Sequence, residues 1–332
     1  MAPGPGREGR RHAGEAPPPA AEGALLAELR PPVFGVAYRM LGSVAEAEDV
    51  AQEALLRLHE ARERGEEIAS PRAYAMTVAT RLAIDELRSA RARREVYVGE
   101  WLPEPLLTGT GAAGAPLSAE YGEDPAERVE MADSLSLAFL ALLERLTPEQ
   151  RAAFLLHDVF GYGYDEVAAV LGSSEAGARQ HASRGRRLVR ERRPRFEASA
   201  AQREELADRF FAAVEEGDVG ELRELLASDV ELHGDGGGKV PALARPVQGA
   251  ERVARTIAAW AKAGSRIGGL RIERVEVNGE PGARTLSADG ELINVFALEI
   301  AGGRVQAMRS VVNPDKLGHL GPLADLNALL GE

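Results

Sequence analysis

The sequence predicts two all-α units followed by an α+β domain, and three observations carry that expectation. Helical patterning runs with few breaks from Leu25 to Arg94. A second helical block holds a helix, a glycine turn and an arginine-rich helix between residues 148 and 195. After residue 265 the pattern becomes short alternating runs separated by Asn-Gly, Asp-Gly and Gly-Gly, the punctuation of an antiparallel sheet.

A chain of 332 residues suggests two or three domains, and 45% hydrophobic residues suffice for real cores. It has no cysteine. That excludes disulfides, thiolate metal sites and cysteine nucleophiles, and it suits a reducing cytoplasm. No apolar run approaches the ~18 residues of a bilayer span. Arg7, Arg10 and Arg11 have no apolar stretch behind them, so no secretory signal and no membrane partner are expected. The net charge of −12 argues against nucleic acid only if it is evenly spread. Eight arginines lie between Arg179 and Arg195 against Glu191 alone, and five between Arg81 and Arg94 against Asp85 and Glu86.

In chain order, residues 1–23 are rich in Gly, Pro, Ala and charge and read as a disordered tail. The first helical unit, 24–95, is interrupted at Gly42-Ser43 and again from Gly65 to Pro71, where Ser70 caps a helix begun by Pro71. Residues 96–127 are Gly- and Pro-rich and form a linker. In the second unit, 128–195, Thr147-Pro148-Glu149-Gln150 is a helix start with a capping box. Phe154, Leu155 and Val159 face inward, and Gly161 and Gly163 end that helix. Tyr164 to Leu171 follows, Gly172-Ser173-Ser174 turns the chain, and a basic helix starts at Glu175.

Such an arrangement lays its second helix in the major groove of DNA. Ala178, Ala182 and Gly185 face the core at helical spacing, while Arg179, Gln180, Ser183, Arg184 and Arg187 project outward. Arg can grip guanine and Gln adenine through paired hydrogen bonds; Arg190, Arg192 and Arg193 suit phosphates. In the last unit, 203–320, helices at 203–216, 219–227 and 249–262 would cover one face of a sheet made from 270–277, 283–288, 291–300 and 304–312.

The blocks FGVAYRMLGSVAEAEDVAQEALLRLHEA (34–61) and SPRAYAMTVATRLAIDELRSARARR (70–94) resemble region 2 of bacterial RNA polymerase sigma factors. LTPEQRAAFLLHDVFGYGYDEVAAVLGSSEAGARQHASRGRRLVRERR (146–193) resembles region 4. Order and spacing match the small extracytoplasmic-function group. The resemblance implies that Glu48, Asp49, Gln52 and Glu53 bind the β′ clamp helices of core RNA polymerase, with the β subunit as a further contact. It implies that Tyr74, Thr77, Arg81, Asp85 and Arg88 meet the melted minus-ten element of promoter DNA, an aromatic stacking on an unpaired base. Many members have Trp or Asn at two of these places, where this chain has Tyr74 and Arg81. Arg179, Gln180, Ser183, Arg184 and Arg187 would then read the minus-thirty-five element.

The extension resembles the SnoaL-like cone of polyketide cyclases and ketosteroid isomerases. One subgroup of these sigma factors carries such a domain with WLPEP, DGGGK and NPDKL motifs, and all three occur here, at 101–105, 235–239 and 313–317. In that subgroup the extension is taken to modulate activity in cis. Trp101, Pro103, Glu104, Asp235, Lys239, Asn313, Asp315 and Lys316 are therefore the expected interdomain residues, with Asp235 and Lys239 paired to Glu104 or to basic residues of the DNA-binding regions. Two alternatives stay open. One is a conventional helix-turn-helix regulator whose SnoaL-like domain binds a small-molecule ligand. The other is an isomerase or cyclase using Asp235, His233 and Asp289 as an acid/base set. No enzyme activity, cofactor or metal is expected.

Overall fold

A computed structural model describes residues 19–94, 97–109, 134–192 and 199–331. Helix α1 (Pro19–Leu41) opens the fold, so the helical part starts within the stretch read as a tail; residues 1–18 lie outside the described residues. Helices α2 (Val44–Glu63) and α3 (Pro71–Arg94) pack against it. The second half of α1 is buried around its whole circumference, with Val33, Phe34, Val36, Ala37, Tyr38, Met40 and Leu41 all inaccessible. An all-round apolar helix must be central. The Ser43 hydroxyl accepts from the Glu46 amide and starts α2, and Ser70 does the same for Ala73 and α3.

The second unit comprises α4 (Leu137–Leu143), α5 (Pro148–Phe154) continued by a π turn through Val159, α6 (Tyr164–Leu171) and α7 (Glu175–Arg192). The Thr147–Gln150 capping box forms as its spacing predicts. Gly172 ends α6 in the left-handed conformation, and Ser174 caps α7. Ala178 and Ala182 are buried, and a Cβ on Gly185 would sit 2.6 Å from Cβ of Phe154, so α7 can rest on α5 only through small residues. The two units share one apolar core running from α1–α3 into α4–α7. Arg151 crosses it, donating to Met40 O at 2.5 Å and Leu143 O at 3.1 Å and pairing with Glu144 at 2.8 Å. Burial pushes its guanidinium down to about 9, which leaves it charged at neutral pH.

The C-terminal domain begins with α8 (Ala200–Glu216) and α9 (Val219–Leu225), which runs directly into β1 (Leu226–Asp235). Then come β2 (Val247–Gln248), α10 (Ala250–Ile267), β3 (Arg271–Val277), β4 (Glu280–Leu286), β5 (Leu292–Ala301), β6 (Arg304–Val311), two 3-10 turns and α11 (Leu326–Leu330). The sheet order is β2-β1-β6-β5-β4-β3. It is mixed rather than antiparallel throughout, because β1 runs parallel to β6. That pairing joins the first strand to the last, which no turn signal announces.

Phe210, Phe211, Val253, Ile257, Phe296 and Leu298 fill the face under the helices. On the opposite face Val277, Val295, Val311 and Leu317 pack against Leu102 of the linker and Leu137 of α4. Leu107 also pairs with Val277, and Thr108 N donates to Glu276 O at 3.0 Å, so the linker extends the sheet at β3.

Candidate nucleic-acid interface and its linker

Three helix faces hold the residues expected to meet polymerase and DNA. On α2, Asp49 and Gln52 are exposed and Glu53 is half-buried, one helical face in register. Glu48 is tied to Arg30 at 2.6 Å and Glu53 to Arg57 at 2.7 Å. Leu56, 48% exposed, continues this face one turn on and was not anticipated; an outward apolar residue at i+3 from Glu53 was the available signal.

Along the face of α3 that carries Tyr74, Thr77, Arg81, Asp85 and Arg88, the first two are half-buried and the last three are exposed, with Arg81 and Arg88 reaching across to the second unit. Tyr74 is half-buried against the shared core. Arg81 donates from Nε to Val170 O at 3.0 Å and from Nη2 to Ala169 O at 2.8 Å. These are the last carbonyls of α6, which have no partner inside their own helix and sit at the negative end of its dipole. Arg88 bridges Asp85 at 3.1 Å and Glu149 at 2.8 Å. Burial would raise the Glu149 carboxyl, but the Arg88 bond and those from its own amide and Thr147 bring it below the usual range.

On α7 the outward side is open: Gln180, Ser183, Arg184 and Arg187 are exposed. Arg179 pairs with Glu175 and stacks 4.7 Å from the Tyr164 ring. Arg186 is fastened to Asp158 at 2.6 and 3.0 Å and to the Tyr164 hydroxyl at 3.1 Å, holding α7 to the preceding turn. Arg190 is exposed, the side chain of Arg192 is undescribed, and Arg193 lies outside the described residues.

The three motifs of the linker and extension converge. Asp235, fully buried at the end of β1, accepts four hydrogen bonds. Oδ1 takes the Tyr97 hydroxyl at 2.5 Å and Gly237 N at 3.0 Å; Oδ2 takes Leu102 N and Lys316 Nζ at 2.8 and 2.7 Å. Lys316 also donates to Leu102 O and lies 4.2 Å from the Trp101 ring and 5.0 Å from that of Tyr97. Burial first, and then the Asp235 carboxylate, raise the Tyr97 phenol, so it stays a neutral donor. Asn313 Nδ2 donates to the Tyr97 oxygen at 2.9 Å. The glycine run is needed because a Cβ on Gly237 would sit 2.3 Å from Asn313, and one on Gly238 2.8 Å from Val98.

Asp235 and Lys239 do not pair with Glu104 or with DNA-binding residues: Lys239 pairs with Asp315 at 2.5 Å, and Asp235 is saturated by the donors above. Glu104 turns the other way. Its carboxylate accepts from Ser43 Oγ at 2.8 Å and Val44 N at 2.7 Å, so it caps α2, and its carbonyl accepts from the Tyr38 hydroxyl at 2.6 Å. Pro103 is buried beside it, and Trp101 packs on Gly42, 2.8 Å from where a Cβ would be. Asn278, in a turn with φ of 53° followed by Gly279 at 78°, donates to Tyr38 Oη at 2.8 Å and Leu135 O at 2.9 Å and accepts from Leu106 N at 2.8 Å. Reading Asn278-Gly279 as a turn alone missed this junction. The acid/base set does not assemble as a site. His233 is held by Glu100 at 2.7 Å and Glu231 at 3.1 Å, and Asp289 is exposed in the β4–β5 turn.

The family models for Sigma-70 region 2 and Sigma-70 region 4 match residues 25–93 and 136–189. The chain is 40% identical over 296 residues to the ECF RNA polymerase sigma factor SigJ of Mycobacterium tuberculosis, covering 87% of this chain and 90% of that one. This chain belongs to the extracytoplasmic-function RNA polymerase sigma factors. It is 32% identical over 286 residues to the probable ECF sigma factor SigI of the same species, covering 86% and 91%. The crystal structure of M. tuberculosis SigJ superposes with a TM-score of 0.71 at 37% identity, across 91% of this chain and 99% of that one. This sigma factor therefore binds core RNA polymerase and promoter DNA and is not an enzyme. Its α+β extension is the SnoaL-like cone. Among the described residues no helix is long and apolar enough to cross a membrane.

Proposed function

We propose that this sigma factor directs polymerase to its promoters from a closed form, in which the second helical unit ties up two arginines of the minus-ten-reading face and the C-terminal domain clamps the linker in cis. The observation that carries this reading is the use of Arg81 and Arg88. Both guanidinia needed at the melted strand are spent on Ala169, Val170 and Glu149 of the second unit. The α2 face with Asp49, Gln52 and Leu56 stays open, so the β′ clamp helices can engage it first. The outer side of α7, with Arg179, Gln180, Ser183, Arg184 and Arg187, is open to the minus-thirty-five element. Opening then has to separate α3 from α5 and α6, and the WLPEP linker resists that because Glu104 grips α2 while Leu102 grips Asp235. On this reading the protein works in the cytoplasm. A small-molecule ligand is the secondary reading; a recess of about 210 Å³ between Lys239, Leu292, Val312, Leu317, Asp325 and Asn327 would receive it next to the DGGGK loop.

The cysteine-free chain makes a clean test. Arg88→Cys with Glu149→Cys, joined by a short bismaleimide, is expected to retain capture by core polymerase while promoter opening falls more than tenfold against the unlinked double variant. Equal opening by linked and unlinked protein overturns the closed form.

A further inference from the structure

We propose that the exposed side of α10 is a second, sequence-independent contact to duplex DNA flanking the minus-thirty-five element. Between Ala250 and Arg271 the chain carries Arg252, Arg255, Lys262, Arg266 and Arg271 against Glu251 alone, in a protein of net charge −12. Arg252, Arg255, Lys262 and Arg266 recur at helical spacing and are all exposed. Glu251 neutralises Arg255 at 2.7 Å and reaches Arg223 at 3.6 Å. Arg252, Lys262 and Arg266 have no acidic partner among the described residues. Thr256, Ala259 and Ala263 lie between them and are short enough to let the helix backbone approach a surface. Trp260 stands beside the stripe, 40% exposed. From Arg252 to Arg266 the stripe spans about 21 Å at ~1.5 Å per residue, enough to reach phosphates on both sides of a major groove about 12 Å wide.

Charge alone would also suit an anionic lipid surface, but a helix that inserts in a bilayer needs a free apolar face. Here Val253, Ala254 and Ile257 are spent inside the domain core. The position favours DNA as well. Helix α10 lies on the helix-bearing face of the sheet, opposite the linker, so its outer side is open even in the closed form. Helix α7 ends at Arg192 and α8 begins at Ala200. The seven residues between them span at most about 25 Å. Once α7 docks on DNA, the domain is confined beside it at an effective concentration of order millimolar, far above a non-specific Kd of about 10⁻⁴–10⁻⁶ M. The inference rests on α7 as the DNA-facing helix.

The test uses full-length protein in holoenzyme and two promoter fragments, one extending about 20 base pairs upstream of the minus-thirty-five element and one ending at it. Arg252→Gln/Lys262→Gln/Arg266→Gln is expected to bind the long fragment at least tenfold more weakly. Its dependence of log K on log salt should fall by about 2 to 3, near 0.9 per lost phosphate contact. Binding to the short fragment should not change. Equal affinities and salt slopes for wild type and variant on the long fragment overturn the proposal. So does a matching loss on both fragments, which would mean damage to the fold or to α7. Loss of capture by vesicles containing phosphatidylglycerol, with DNA binding unchanged, would assign the stripe to lipid and overturn it too. Arg184→Ala serves as the separate control on α7: if it leaves both fragments unaffected, the reading of α7 fails independently.

Discussion

At the scale of single residues, the Lys316–Asp235 pair decides how the linker is held. Both side chains are out of solvent, and the carboxylate has four donors, so its desolvation is offset by geometry rather than by charge alone. Lys316→Met leaves that carboxylate buried with its cation gone. We expect a loss of ~3–5 kcal/mol, seen as a lower urea midpoint. In the double variant Lys316→Met/Asp235→Asn the losses should not add, because the uncompensated charge is removed; strict additivity would show the two are not coupled. The motif residues were legible in the sequence, but their partners were not. The expected pairing of Asp235 and Lys239 with Glu104 or basic residues does not form, because a carboxylate announces a need for donors and not which donors will arrive.

At the scale of elements, the contact of α3 with α5 has a pH dependence whose direction follows from Glu149. Its folded value lies below the ordinary 4.5, through the bond to Arg88 and the helix start. The unfolded chain therefore binds more protons as pH falls through this range. The stabilisation is fully present above about pH 4.5 and is lost as pH drops through the folded value. Glu149→Gln should lower the urea midpoint of the chain at pH 7, and wild type and variant should converge in acid. A midpoint difference that does not change with pH would dissociate the ion pair from this contact. The elements themselves follow from local chemistry: the Thr147–Gln150 box, Gly172 and Ser174 mark α5, α6 and α7 where the structure has them. Strand β2, helix α11 and strand β1 are exceptions, and β1 matters most for the topology. It grows out of α9 without a turn signal and pairs in parallel with β6, the last strand of the chain.

At the scale of the whole molecule, the described residues join the C-terminal domain to the sigma units through the linker, through Leu137 of α4 packed on the sheet, and through one turn. Asn278 is fully buried and binds Tyr38 of α1, Leu135 before α4 and Leu106 of the linker at once. Asn278→Ala leaves the Tyr38 hydroxyl and two backbone groups short of a partner and places Ala at positive φ. We expect the docked arrangement to weaken by about 1–3 kcal/mol. Small-angle scattering would register this as a larger radius of gyration, and proteolysis as faster cleavage between residues 97 and 109. An unchanged radius and cleavage rate would show that the turn is not what holds the domain in place.

The sequence by itself determined the principal helices, the last four strands, the helix-turn-helix with its outward arginines, and the family. Each of these rests on spacing within a few residues: periodicity, caps, turn glycines and contiguous motifs. Only the tertiary structure decided that Arg81 and Arg88 face α6 and Glu149, that the sheet is mixed, and that the linker is gripped at both ends. Those outcomes depend on hydrogen-bond partners such as Leu102 with Asp235 and Tyr38 with Asn278, which lie 133 and 240 positions apart. A donor's chemistry does not encode the address of its acceptor. The packing of α1–α3 on α4–α7 and of the cone on the linker supplies that address.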